Sequence, residues 1–495
     1  MYYHKIILLS LALMLLVTAS EGQVRFATGM QAAPEKYDEV PVLPIYSGRK
    51  YNELPLKVSL RKYCPVPGDQ KGAATCVGWA VGYGAMTIMR AIQEGKTDQA
   101  SITKEANSAA FIYNQIKISE EDCNSGAYLE DALQFVSTYG DCLESSFLST
   151  EINCTVVPGV AQQSEATKFR IQDFAAVFKQ NEPEKGKLSK VCKILATQTP
   201  VIAGLEVGPS FWQILPGNAL WNPAPGETGN GYHAMVVIGY DNVEKRVELM
   251  NSFGPGWGQG GFIWMPYDDF ERYLQFAFVL NAGHGSTQEE RVAVDDTPAL
   301  QLSGEFIFRR PAGYLTLADG SETPFFEEVP VSAGPFAGTY LPVEKNMSPG
   351  EVFQLVAREI PKGRYVYVFS QGPDGEVNLH FPKFNAGNRT ADFVLSQTSE
   401  IIIPSEENVL QLTAPGKDHL CVLYATRKIM DISERLRAFR QVPGPFQDRV
   451  SAVFGDLLIP LEDIALEPEA MSFSTAVPAQ SRKTTVAITL LVNCE

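Results

Sequence analysis

Apolar residues along this chain change their period several times. Ile6 to Val17 is an unbroken run of apolar and small residues behind a short basic start at His4 and Lys5. Residues 23–53 hold Pro34, Pro41 and Pro44 among scattered charges and show no amphipathic helix. From Thr75 to Gly95 the apolar positions recur at helical spacing through Val77, Ala80, Tyr83 and Ile88, with Thr75 as the N-cap. Tyr128 to Tyr139 predicts a second helix, with Leu129, Ala132, Leu133 and Val136 on one face and Gly140 as its stop. After Pro200 the pattern turns to strands at Val201–Leu205, Met235–Tyr240, Val247–Met250 and Phe262–Met265.

Residues 283–300 read as a linker, with Gly283, Gly285, several acids and Pro298. Beyond it lie further strands. Tyr365–Phe369 is apolar on both faces and so predicts a central strand. Asp374-Gly375 signals a hairpin into Val377–Phe381. Strands follow at Ile401–Ile403, Val409–Leu412, Cys421–Ala425 and Val486–Val492. One helix is expected at Ile432–Gln441, with Asp431 and Glu434 at capping-box spacing. The fold class is therefore α+β, ending in a β-rich, sandwich-like domain at 301–495.

A length of 495 residues exceeds what one hydrophobic core serves. With 45% apolar and 20% charged residues the chain is an ordinary globular one. A net charge of −16 and the absence of any Lys/Arg run argue against nucleic acid as a partner. The Ile6–Val17 run falls short of the ~20 residues needed to span a bilayer. It reads as a cleaved secretory signal occupying residues 1–22, with small residues at Thr18, Ala19, Ser20 and Gly22. Export would permit disulfides among the eight cysteines. Cys421 and Cys494 are the pair available in the C-terminal region, and connectivity among the others stays open.

Candidate chemistry gathers around one imidazole. His233 is the sole histidine between residues 54 and 282, and it opens an apolar run in Gly231-Tyr232-His233-Ala234-Met235. Gln70 precedes Cys76 by six residues, and Asn251 opens the glycine-rich segment Asn251-Ser252-Phe253-Gly254-Pro255-Gly256-Trp257. A thiol, a base, an orienting amide and a spare amide donor are the parts of a thiol acyl-transfer site. In the first turn of its helix, Cys76 would meet free N–H groups and a dipole that favour thiolate. Each residue alone has a blander role, as core thiol, structural imidazole, turn residue or solvated loop residue. Their combination is what points to catalysis.

These segments resemble the papain-like cysteine peptidases over residues 54–282, beginning at Leu54-Pro55-Leu56-Lys57-Val58-Ser59. The resemblance implies a two-lobed domain, helical then β-rich, with Cys76 as nucleophile, His233 as base, Asn251 as orienter and Gln70 as oxyanion donor. It places Gly126 and Tyr232 on the substrate-binding walls. The run from Cys76 to His233 slightly exceeds the typical window of ~130–150 residues, which an inserted loop rich in Pro, Gly and Asn before His233 would explain. Phe253 stands where the family has tryptophan, so weaker shielding of the Asn–His contact is expected. Ala73 replaces a common cysteine, and residues 23–53 are too short for the family's helical propeptide.

No metal-binding motif, phosphate loop or Gly-x-Ser-x-Gly elbow is present, so neither metal nor cofactor is expected. The expected partner is a protein or peptide substrate, and the domain at 301–495 has room for another protein or a surface component. Two rivals stand beside a secreted endopeptidase. One is a thiol amidase or acyltransferase acting on a non-protein amide; the other is an inactive peptidase fold used for binding.

Overall fold

The computed structural model describes residues 28–44, 54–119, 123–149, 154–282, 299–316, 322–343, 347–385, 388–395, 400–405, 408–478 and 480–495. The signal call at 1–22 and most of the 283–300 linker lie outside them. Among the described residues no helix is long and apolar enough to cross a membrane.

The first half is built on one antiparallel sheet. In chain order its strands are β1 (Lys57–Ser59), β2 (Asp173–Ala176), β3 (Val201–Val207), β4 (Gly231–Asp241), β5 (Arg246–Met250), β6 (Phe262–Pro266) and β7 (Leu274–Asn281). They pair in the order β2-β7-β3-β4-β5-β6, with β1 against β4. From His233 onward β4 is buried throughout, because one face meets the helix that starts at Cys76 and the other meets the helix Lys187–Leu195. Burial on both faces is why its sequence reads as an uninterrupted apolar run rather than an alternation.

That helix begins as an α-turn at Cys76–Gly78, widens to a π-segment at Trp79–Met86 and closes as α-helix at Thr87–Gln93. Two glycines allow its close approach. A Cβ on Gly78 would stand 2.3 Å from Ala109 O, and one on Gly84 would stand 2.7 Å from Val236 Cγ2. The helix start falls where the periodicity placed it, but Thr75 makes no side-chain cap and its hydroxyl is buried without a partner. The second helix runs Leu129–Thr138 and stops at Gly140, where φ is +82°. Short helices at Gln99–Lys104, Ala109–Ile116, Val160–Ala166 and Tyr267–Tyr273 were not expected; each spans two turns or so, too short for a periodicity to establish itself. Pro34–Glu39 is also helical, against the expectation for residues 23–53.

In the second half the strands are β8 (Leu300–Thr316), β9 (Glu322–Glu328), β10 (Val331–Ala333), β11 (Thr339–Pro342), β12 (Val352–Arg358), β13 (Tyr365–Gln371), β14 (Val377–Phe381), β15 (Phe384–Asn385), β16 (Asn388–Arg389), β17 (Ile401–Ile403), β18 (Leu410–Gln411), β19 (Gly416–Ala425), β20 (Ala465–Leu466), β21 (Ser472–Val477) and β22 (Thr485–Cys494). One sheet runs β10-β11-β22-β19-β13-β14 and another β17-β12-β8-β21-β20. Val366 and Val368 of β13 enter a core shared by these two sheets. Tyr365, Tyr367 and Phe369 enter a second core, continuous with the first half. The strand is central and apolar on both faces because each face serves a different core.

The same alternation corrects the cysteine expectation. Cys421 faces the core continuous with the first half, whereas Cys494 faces the core between the sheets. Cys421 pairs in register with Thr489, five residues up the strand from Cys494, and both thiols are free. The bonded pair is Cys123–Cys154. The helix Ile432–Gln441 forms as expected, but Asp431 makes no side-chain cap. Its carboxylate instead accepts from Arg435 Nε at 3.0 Å.

Tyr367 ties the halves together: its hydroxyl donates to Asp392 at 2.7 Å and accepts from Ile429 N–H at 2.9 Å. Lys428 then pairs with Asp173 on β2 at 2.5 Å. Phe369 is fully buried and packs on Phe439, Phe446 and Phe454 at 5.5–6.0 Å. Phe369→Ala is expected to cost about 3–5 kcal/mol, measured as a lowered urea midpoint.

Candidate active site

The β4–β5 hairpin brings the expected base, His233, and the expected orienter, Asn251, together. Val236 pairs with Met250, so Asn251, one residue past the end of β5, lands beside His233. His233 Nε2 donates to Asn251 Oδ1 at 2.7 Å, and the same oxygen accepts from Ser252 N–H at 2.8 Å. An amide oxygen has no proton to give, so Nε2 carries the hydrogen and Nδ1 is left as an acceptor. Nδ1 is buried and makes no hydrogen bond.

Cys76 stands at the first residue of its helix, fully buried. Backbone groups of Ala234, Gly29, Met30 and Val77 lie near enough to its sulfur to favour the charged form. Ala234 directly follows His233, so the strand that carries the imidazole meets the start of the Cys76 helix, although Nδ1 makes no hydrogen bond to the sulfur. Burial pushes the thiol up to about 11, with the four backbone groups pulling against it. Burial also pushes His233 down to about 4, against the raising effect of Asn251. The expectation of a thiolate at a helix start is thus corrected for this state: both groups are neutral because water is excluded from them.

Rings exclude that water. Phe253 lies 4.9 Å from the imidazole and Phe211 lies 5.3 Å from it. Trp257 meets Phe211 at 5.6 Å and Phe253 at 5.9 Å, while Trp221 meets Phe211 at 4.9 Å. The weaker shielding expected from Phe253 does not occur, since His233 and Asn251 are both buried. Phe211 and Trp221 come from the loop before His233, whose Phe211-Trp212 doublet in a Pro- and Gly-rich stretch was the overlooked signal.

Gln70 is buried and reaches the same junction. Its Nε2 donates to Ala73 O at 2.7 Å, and its Oε1 accepts from Ser252 Oγ at 2.6 Å. Ser252 therefore links Gln70 to Asn251. The segments of Gly126 and Tyr232 are joined through a third segment. Met30 bridges in parallel to Ala127 and antiparallel to Tyr232, and a Cβ on Gly126 would stand 2.4 Å from Gly29 O. Residues 28–31 thus run between these two segments, a placement that no local pattern signals. Among the described residues no group of three or more His, Cys, Asp or Glu side chains could hold a metal.

No known family profile matches the chain. Residues of the chain align at 26% identity over 165 positions with an uncharacterized peptidase C1-like protein of Acanthamoeba polyphaga mimivirus, covering 32% of this chain and 53% of that one. The chain thus spans about half the length of the curated relative it matches. Among solved structures, xylellain, a cysteine protease from Xylella fastidiosa, superposes with a TM-score of 0.43 and 21% identity, over 54% of this chain and 99% of that one. Digestive procathepsin L 3 of Tenebrio molitor larval midgut gives a TM-score of 0.38 and 16% identity, over 52% and 76%.

Burial keeps His233 neutral, and this makes stability depend on pH. The folded value is about 4, below the unfolded value of about 6.5, so the unfolded chain binds the extra proton between them. Stability from this group is complete above about pH 6.5 and is lost as pH falls toward 4. Between about pH 8 and 4 the chain should lose about 3 kcal/mol more than His233→Gln does, read from urea midpoints of the two proteins. Parallel curves would contradict a buried neutral imidazole.

Proposed function

We propose that this chain is a secreted cysteine endopeptidase of the papain-like type, a hydrolase whose nucleophile is Cys76. The observation that carries the reading is the His233–Asn251 hydrogen bond of 2.7 Å, boxed in aromatic rings, on a strand packed against the helix that starts at Cys76. The peptidase C1-like relative supports it, as does the order Gln70, Cys76, His233, Asn251 along the chain. The two-lobed arrangement follows, with helices carrying Cys76 and the sheet carrying His233. The sheets of the second half form a β-sandwich accessory domain. Secretion is supported by the apolar leader at residues 1–22 and by the Cys123–Cys154 disulfide, a bond favoured in oxidising compartments.

Once the cleft opens, water reaches both groups and their proton affinities return toward ordinary values. His233 Nδ1 takes the thiol proton, and the thiolate attacks the peptide carbonyl carbon. The C–N bond breaks as the imidazolium gives its proton to the departing amine. Water, deprotonated by the same nitrogen, then releases the acyl group and restores the thiol. Asn251 holds the ring in this orientation throughout. Gln70 and the backbone N–H of Cys76 donate to the oxyanion.

The reading is tested by incubating the full chain with denatured protein between about pH 4 and 8. Because Met30 covers the sulfur, a Met30→Asp chain is run alongside. Fragments are expected that vanish in Cys76→Ala, and Gln70→Ala should lower kcat about 10²–10³-fold. Absence of cleavage by either chain at every pH would favour an amidase or acyltransferase, or an inactive binding fold.

A further inference from the structure

Resting on the peptidase reading of this site, we propose that Trp79 is a positioning residue for His233. It acts through one buried water molecule, which its indole N–H shares with the side-chain amide of Asn251. This bridge keeps the amide turned so that its oxygen faces the imidazole.

Two donors and one space carry this. Asn251 Oδ1 already accepts from His233 Nε2 and from Ser252 N–H. Its Nδ2 is buried and meets no acceptor among the described residues. The same holds for Trp79 Nε1, and each of the two residues is only 3% exposed. Buried N–H groups are nearly always paired, so two orphans beside one space call for a common partner. Both residues line one cavity, together with Gly68, Tyr83 and Ser252. It leaves about 10 Å³ to the centre of a water-sized atom, which matches the ~10–15 Å³ that one water requires.

The lining selects water over an anion. Tyr83 donates its hydroxyl proton to Val66 O at 2.8 Å, and Ser252 donates its own to Gln70 Oε1 at 2.6 Å. Each hydroxyl oxygen therefore keeps lone pairs and has no proton to offer. A water donates to both of them and accepts from Trp79 Nε1, whereas an anion would be repelled by those oxygens. One lone pair of the water is then left, and only an N–H can use it. Asn251 Nδ2 supplies that N–H, which completes the two to four partners typical of a buried water.

Local structure holds the indole in this place. Trp79 opens the π-segment of the Cys76 helix, three residues after the thiol. Gly68 leaves the ring room, since a Cβ there would stand 2.0 Å from Trp79 Cζ3, and Tyr83 packs on the ring at 4.9 Å. Gly68 O in turn accepts at 2.8 Å from the N–H of Gly254, in the loop that follows Asn251. A flipped amide would set its oxygen against the spare lone pair of the water and its hydrogens against the Nε2–H of His233. Trp79 thereby helps to keep the ring hydrogen on Nε2 and leaves Nδ1 as the acceptor.

The test uses the full chain labelled with nitrogen-15, and its first two readouts need no substrate. The indole N–H signal lost in Trp79→Phe belongs to Trp79, and in the parent chain it should cross-relax with a long-lived water. Trp79→Phe keeps a ring and loses the donor, so the Nε2–H of His233 should exchange with solvent about tenfold faster. Tyr83→Phe removes one acceptor of the water and should act in the same direction, which serves if Trp79→Phe does not fold. On a peptide that the parent chain cleaves, Trp79→Phe should lower kcat about tenfold and leave KM unchanged. An indole N–H with no water partner would overturn the bridge. A lowered urea midpoint with unchanged Nε2–H exchange in both variants would reduce Trp79 to packing and overturn its positioning role. Both signals as expected, with no peptide cleaved by any chain, would support the bridge and count against the peptidase reading instead.

Discussion

Exclusion of water from one sulfur and one imidazole is the constraint on which the first half of this protein is organised. A buried thiol and a buried imidazole both resist charge, so in the closed state they remain a neutral pair. Three independent parts of the chain supply the seal. The loop before β4 contributes Phe211 and Trp221, the loop after β5 contributes Phe253 and Trp257, and residues 28–31 lie over the thiol itself. Met30 of that last segment belongs to the same hydrophobic core as the rings, so the seal is continuous.

β4 is the element that makes this geometry precise. It pairs with β3 on one side and β5 on the other, and its two faces are covered by the helix of Cys76 and the helix Lys187–Leu195. The register with β5 fixes the separation of His233 from Asn251. Close contact of Gly84 with Val236 fixes the helix against the same strand, and with it the position of Cys76. His233, Asn251 and Cys76 are thus all referenced to one buried strand, which leaves little freedom for them to drift apart.

The second half is bound into this frame rather than strung beside it. Alternate residues of β13 and β19 serve two cores, one between their own sheets and one shared with the first half. Asp173, Lys428, Asp392 and Tyr367 form a polar seam across the junction. Val42 is held there too, bridging Ala176 of the first half and Thr390 of the second.

Local patterning was enough to locate the helix of Cys76, the helix before Gly140, the strands around His233 and Asn251, and the two-faced strand at Tyr365, because each signal is carried by neighbours in the chain. Gln70, Cys76, His233, Asn251, Gly126 and Tyr232 stood out as one set through their order and flanks, and the structure joins His233 to Asn251 and, through Ser252, Asn251 to Gln70. What the sequence alone could not settle depends on distant partners. The protonation state of Cys76 follows from burial by residues more than forty positions away, and the separation of Cys421 from Cys494 follows from which face of a sheet each occupies. The place of Met30 follows from pairing with two walls that lie about 100 and 200 residues downstream. A chain's periodicity records which side of an element is apolar; it does not record what that side will meet, and here the meeting of remote segments decides what surrounds Cys76 and His233.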